Sequence, residues 1–211
     1  MNPGSWARKA SWGCEPMAAI HYFAYGSNML TTRLRARTPS ARPLHLAALP
    51  GRRLAFHKQG KDGSGKCDIA PGRPADQVIG VVFQLDEAEL PSLDRAEGAG
   101  YGYARAEVMV RHETSELACV WYEAPRIDPA LQQFGWYRQL VIAGLLEHGA
   151  QHWYLRHVMA VGWLHDPDPH RHAQRVAVRA LTASKQAHPH LSAILAGGHD
   201  DPTSPLQENL R

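Results

Sequence analysis

The sequence predicts an α+β fold: a small mixed, mainly antiparallel β-barrel with flanking helices. Two observations carry this. Short apolar or alternating runs, each ended by a local turn, recur from Ile20 to Tyr122, as strands joined to near neighbours do. Helical periodicity is confined to a few segments and does not alternate with strands over the whole length, which disfavours a doubly wound sheet.

Composition narrows the class. A chain of 211 residues, 44% hydrophobic and 20% charged, suits one soluble globular domain with a substantial core. The formal charge is only +3, and no basic run is interleaved with aromatics, so no nucleic-acid partner is expected. No apolar run approaches the ~20 residues of a membrane span. The three cysteines, Cys14, Cys67 and Cys119, form no CxxC pair and suit reduced thiols in a cytoplasmic protein. Residues 1–18 read as a disordered extension, 19–166 as the folded domain, and 167–211 as a C-terminal extension, partly helical and then a disordered tail.

The elements come in order along the chain. Ile20–Tyr25 is a short aromatic-rich strand, interrupted by Gly26-Ser27-Asn28. An amphipathic helix over residues 29–37 comes next, ending before Thr38-Pro39. Leu44–Leu49 and Arg53–His57 are strands separated at Pro50-Gly51, and the polar loop 58–66 lacks the phosphate-loop pattern. After a short strand at Cys67–Ala70, the apolar run Val78–Leu85 predicts a central strand. Asp86 caps the next helical segment, with Glu89 at capping-box distance; Pro91 splits that helix in two, and Gly98 and Gly100 stop it. Residues 101–110 alternate as a strand, and Leu117–Tyr122 is its partner. Phe134–His148 and Gln151–Val161 are helices broken at Gly149.

Two places in this layout draw chemical attention. Glu97 lies seven residues after Leu90 and four after Leu93, so the helix places its carboxylate on the core-facing side. There it must be paired, hydrogen-bonded or protonated, or else bend out to solvent. The turn Gly26-Ser27-Asn28 joins a strand to a helix start and offers backbone N–H groups to a carboxylate or an oxyanion; equally, Ser27 or Asn28 is a plain N-cap. Other features read more blandly. Arg33, Arg35 and Arg37 form a solvated helix face, with a role in greeting an acidic substrate as the alternative, and the tryptophans are packing residues. Nine of thirteen histidines come after Glu147, but no Cys/His/carboxylate set has metal-ligand spacing, so no metal is expected.

Taken together, the motifs resemble one family. Tyr25-Gly26-Ser27-Asn28 after a strand, Gly80-Val81-Val82-Phe83, then Leu93-Asp94-Arg95-Ala96-Glu97-Gly98 with Tyr103 beyond it, are similar in order and spacing to the γ-glutamylcyclotransferase family. The similarity runs from about His21 to about Val161. That resemblance implies cyclisation of a γ-glutamyl amide or amino acid to 5-oxoproline, with release of the amine or amino acid. It implies Glu97 as the catalytic general base and acid, and Tyr25, Gly26, Ser27 and Asn28 as the loop that holds the glutamyl group. Tyr103, Tyr122 and Tyr137 match positions where the family places tyrosines around the pocket. The partner is then a small-molecule γ-glutamyl substrate, and the chemistry requires no cofactor. A γ-glutamylamine-specific enzyme and a non-catalytic metabolite-binding module are the alternatives. Apolar residues on the C-terminal helices are compatible with a homodimer. One residue fits badly: Tyr103 falls on the polar face of its predicted strand, so either a bulge re-aims it or that face lines the pocket.

Overall fold

The computed structural model describes residues 18–171. Cys14, most of the expected N-terminal extension, and the part of the expected C-terminal extension after residue 171 lie outside them. Five strands close a barrel in the order β1 (Ala19–Ala24), β5 (Gln77–Asp86), β2 (Arg42–Pro50), β6 (Ala104–His112) and β7 (Ser115–Glu123). β3 (Arg52–Gln59) and β4 (Gly65–Pro71) form a separate two-stranded sheet.

The middle strand explains its own sequence. β5 pairs antiparallel with both β1 and β2, and Val78, Val81, Val82, Phe83 and Leu85 are all buried. A strand with neighbours on each side and packing on each face needs apolar residues in succession rather than alternation. Gly80 interrupts the run because a Cβ there would stand 2.5 Å from the Ala24 carbonyl oxygen and 2.6 Å from the Phe23 ring. β6 and β7 pair along their whole length, but the two remaining junctions rest on single pairs. β2 meets β6 only at Ala48–Arg111, and β1 meets β7 in parallel only at Tyr22–Val120. This last pair makes the barrel mixed.

α1 (Thr31–Arg35) comes after a 3-10 turn over Ser27–Met29; α2 is Leu90–Glu97, α3 is Gly135–Glu147 and α4 is His152–Met159. The spacing of α3 predicts one buried stripe, yet the helix is buried almost all round, from Gly135 through Leu145 save Arg138. It packs directly on the 3-10 turn, where a Cβ at Gly144 would lie 2.6 Å from Met29 Cβ and 2.8 Å from Leu30 N.

Several local expectations are corrected. The predicted helix over 29–37 is shorter, and neither Ser27 nor Asn28 caps it. The first amide of α1, at Thr31, is instead satisfied by the Glu147 carboxylate at 3.1 Å. Asp86 does accept from Ala88 N at 2.9 Å, but Glu89 forms no capping box; its carboxylate takes the Ser40 hydroxyl and amide. The strand expected from residue 101 begins at Ala104, so Tyr103 precedes it and escapes its alternation. Gly98 (φ 71°) and Gly100 (φ 96°) provide the left-handed backbone that turns α2 back toward β6.

Candidate active site

A cavity of about 570 Å³ opens between the 3-10 turn, the β3–β4 hairpin, the C-terminal end of α2 and the first turn of α3. All eight residues singled out from the sequence line it.

Glu97, the last residue of α2, presents Oε1 to two donors: Asn28 Nδ2 at 2.9 Å and Arg37 Nη1 at 2.6 Å. Arg37 Nη1 also donates to Asn28 Oδ1 at 2.7 Å, and Asn28 Nδ2 reaches the Tyr22 hydroxyl at 3.0 Å. The carboxylate is therefore paired rather than bent out to bulk solvent, its side chain 13% exposed. Arg37 overturns the reading of a solvated arginine face. α1 stops at Arg35, and the chain then turns so that Arg37 points back to the acid. Arg33 departs from that face too, donating from Nε to Ser27 Oγ at 3.1 Å.

Residues 26–28 approach the opposite wall closely. A Cβ at Gly26 would lie 3.0 Å from Cys67 Cβ and 3.3 Å from the Tyr137 hydroxyl. As the opening residues of a helical turn, their N–H groups have no partner within that turn.

The tyrosines form the walls. The Tyr25 hydroxyl donates to the Tyr122 carbonyl, and Tyr103 OH donates to the Cys67 carbonyl at 2.6 Å. Tyr122 OH donates to Asp94 at 2.6 Å, and Tyr137 OH accepts from Cys67 N at 3.1 Å. Burial holds the Tyr25, Tyr103, Tyr122 and Tyr137 phenols well above their ordinary pKa, so they remain neutral. Their fixed hydroxyls set the shape of the cavity, and Tyr103 enters it from the loop before β6 rather than from a bulge. Beneath them, Asp68 accepts from the Ala124 amide at 2.9 Å and pairs with His57 Nε2 at 2.8 Å, which anchors β4 and so Cys67. Burial pushes the Cys67 thiol up to about 12, which leaves it a packing group.

Sequence reasoning missed Arg37, Tyr22, Asp94 and Arg171. Asp94 was within reach, one turn before Glu97 on the same helix, where it accepts from both Tyr122 and Arg105. Arg171 comes from beyond the expected domain end. It lines the cavity while its guanidinium grips buried Asp166 at 2.7 Å, and Asp166 also takes the Trp136 indole N–H at 2.8 Å. No local signal marked that contact.

Comparison with known proteins bears on the family of the chain and its fold. The family described as "Gamma-glutamyl cyclotransferase, AIG2-like" matches residues 22–139. The chain is 34% identical over 154 residues to the Gamma-glutamylcyclotransferase of Bos taurus, covering 66% of this chain and 80% of that one. It is 34% identical over 151 residues to that of Homo sapiens, with the same coverage. A solved structure described as Gamma-glutamyl cyclotransferase superposes with a TM-score of 0.67 at 26% identity, covering 86% of this chain and all of that one. The fold and the sequence therefore agree, and the chain belongs to the gamma-glutamyl cyclotransferase, AIG2-like family of enzymes.

Proposed function

We propose that the protein converts a γ-glutamyl amide or γ-glutamyl amino acid to 5-oxoproline, releasing the amine or amino acid. The observation that carries this reading is the Glu97 carboxylate on the cavity wall, hydrogen-bonded to Asn28 of the adjoining turn. Both reacting atoms belong to one substrate molecule. The enzyme must therefore hold a folded conformer rather than gather two reactants.

In the proposed sequence the substrate's neutral α-amine attacks its own γ-carbonyl carbon. As the new N–C bond forms, Glu97 takes a proton from that nitrogen. As the old C–N bond breaks, Glu97 returns the proton to the departing nitrogen. The carboxylate is regenerated, no electrons are exchanged, and the reaction needs no cofactor. Backbone N–H groups of residues 26–28 suit the tetrahedral oxyanion, being fixed before the charge develops. Arg37 holds Glu97 in place and balances its charge before the first transfer and after the second.

Incubation with a panel of γ-glutamyl dipeptides and γ-glutamyl alkylamines tests the reading. 5-Oxoproline is expected from at least one, and Glu97→Gln is expected to abolish it while circular dichroism stays native. Full turnover by that variant would remove Glu97 from the mechanism. Binding without turnover by the wild type would favour a metabolite-binding module.

A further inference from the structure

The charge of the cavity bears on which substrates enter it. Six cationic side chains line the cavity against two carboxylates, Asp62 and Glu97. Most of the cations are engaged: Arg37 with Glu97, Lys66 with Asp62 at 2.8 Å, Arg171 with Asp166, and Arg33 with Ser27. Lys58 and Lys61 differ. Among the described residues neither forms an ion pair. Each instead rests on an aromatic ring across the cavity: Lys58 Nζ lies 4.7 Å from the Tyr103 centroid and Lys61 Nζ 5.5 Å from that of Tyr101. The two rings step outward, since Tyr103 is 9% exposed and Tyr101 62%. The lysines thus form an inner and an outer position between the wall and the mouth.

We propose that Lys58 and Lys61 read carboxylates on the leaving side of the substrate, so that the enzyme prefers γ-glutamyl compounds whose leaving amine is a dicarboxylic amino acid. This preference rests on the cyclisation reading. The reacting carbonyl must sit between the 26–28 turn and Glu97, which directs the rest of the molecule outward past Tyr103 and Tyr101. Lys58 is half-buried, and burial pulls its ammonium below the usual lysine range, with Glu97 opposing that shift. A desolvated cation of this kind gains most from an anion that arrives with the ligand. The aromatic face orients each ammonium without neutralising it. Lys61 is exposed, so its contribution is the smaller and the more easily screened.

The test uses the full chain and three substrates with a common γ-glutamyl end: γ-glutamyl-glutamate, γ-glutamyl-glutamine and γ-glutamyl-propylamide. They carry two, one and no carboxylates on the leaving side. Ranked by kcat/KM for 5-oxoproline release, they are expected to fall in that order. The step set by Lys58 is expected to be about tenfold and that set by Lys61 a few-fold. Lys58→Met is expected to shrink the glutamine-to-propylamide ratio, Lys61→Met the glutamate-to-glutamine ratio, and Lys58→Arg to restore most of the former. Added salt is expected to flatten the outer step first. Equal rates on the three substrates in the wild type would overturn the proposal while leaving cyclisation intact. So would a uniform loss across all three in Lys58→Met, which would assign that lysine to the glutamyl end. No 5-oxoproline from any substrate would refute the cyclisation reading and this proposal with it.

Discussion

Arg37 is the residue through which the tertiary fold acts on Glu97. A single nitrogen bridges the carboxylate and Asn28, so Arg37→Met would leave Glu97 with the Asn28 amide alone. The loss of a partly screened, charge-assisted contact is worth about 1–3 kcal/mol. We expect kcat/KM on any accepted γ-glutamyl substrate to fall roughly tenfold or more, at about 1.4 kcal/mol per tenfold, with partial recovery in Arg37→Lys. An unchanged kcat/KM would show that Asn28 suffices. A second residue-scale prediction concerns the thiols. Burial raises Cys67 to about 12 and Cys119 to about 11, so at pH 8 a Cys14→Ser variant should resist iodoacetamide until it is unfolded. Rapid labelling of the folded variant would contradict the burial. At this scale the sequence was informative where a regular helix fixed direction. Glu97 is placed from Leu93 by one helical turn, but Arg37 lies past the end of α1, where no period governs the side chain. Tyr103 misled for the related reason that it precedes its strand.

Elements were legible to within a few residues wherever local pattern decided them. The apolar run at Val78–Leu85 corresponds to the strand Gln77–Asp86, and the helix expected over Phe134–His148 spans Gly135–Glu147. What could not be read was which element packs on which. The apolar spacing of α3 permits a single stripe; in the fold the helix is enclosed, and Gly144 is where it touches the 3-10 turn. Gly144→Ala separates propensity from packing. Alanine favours the helix by about 1 kcal/mol, but its Cβ would stand 2.6 Å from Met29 Cβ and 2.8 Å from the Leu30 nitrogen. Overpacking of that kind costs about 1–3 kcal/mol, so the clash outweighs the gain. We expect a lower Tm together with weakened turnover, because the displaced segment is the turn that carries Asn28. A raised Tm would show that the turn yields without strain.

For the whole molecule, the barrel closes at two thin junctions, and neither is visible in a sequence whose strands all look complete. The β2–β6 junction has one residue pair, Ala48–Arg111, supplemented by His112 Nδ1 donating to the Leu46 carbonyl at 2.9 Å. His45 stacks on His112 with ring centroids 3.7 Å apart. Burial lowers the His45 pKa, and the His112 and His21 charges lower it further, against the Leu46 carbonyl and Glu113. A folded pKa below the unfolded value means the unfolded chain takes up the proton first. The contribution of His45 to stability is then complete above about pH 6.5 and is lost as the pH falls from there toward its lowered folded value. We expect Tm to drop between pH 7.5 and 5.5, and to drop less in His45→Gln; parallel curves for the two proteins would exclude the stacked pair as a cause.

The β1–β7 junction likewise has a single ladder pair, Tyr22–Val120, and it coincides with the candidate catalytic centre. Tyr22 receives the Asn28 amide, and the Tyr25 hydroxyl crosses from the end of β1 to the Tyr122 carbonyl in β7. This single-pair line of the barrel is therefore laced shut by side chains of the candidate site. Breathing along that line and dismantling of the site become one motion, and a bound product or inhibitor should damp it. Amide hydrogen exchange in Ala19–Ala24 and Ser115–Glu123 is expected to slow on occupancy, while exchange in the β3–β4 sheet stays as it was.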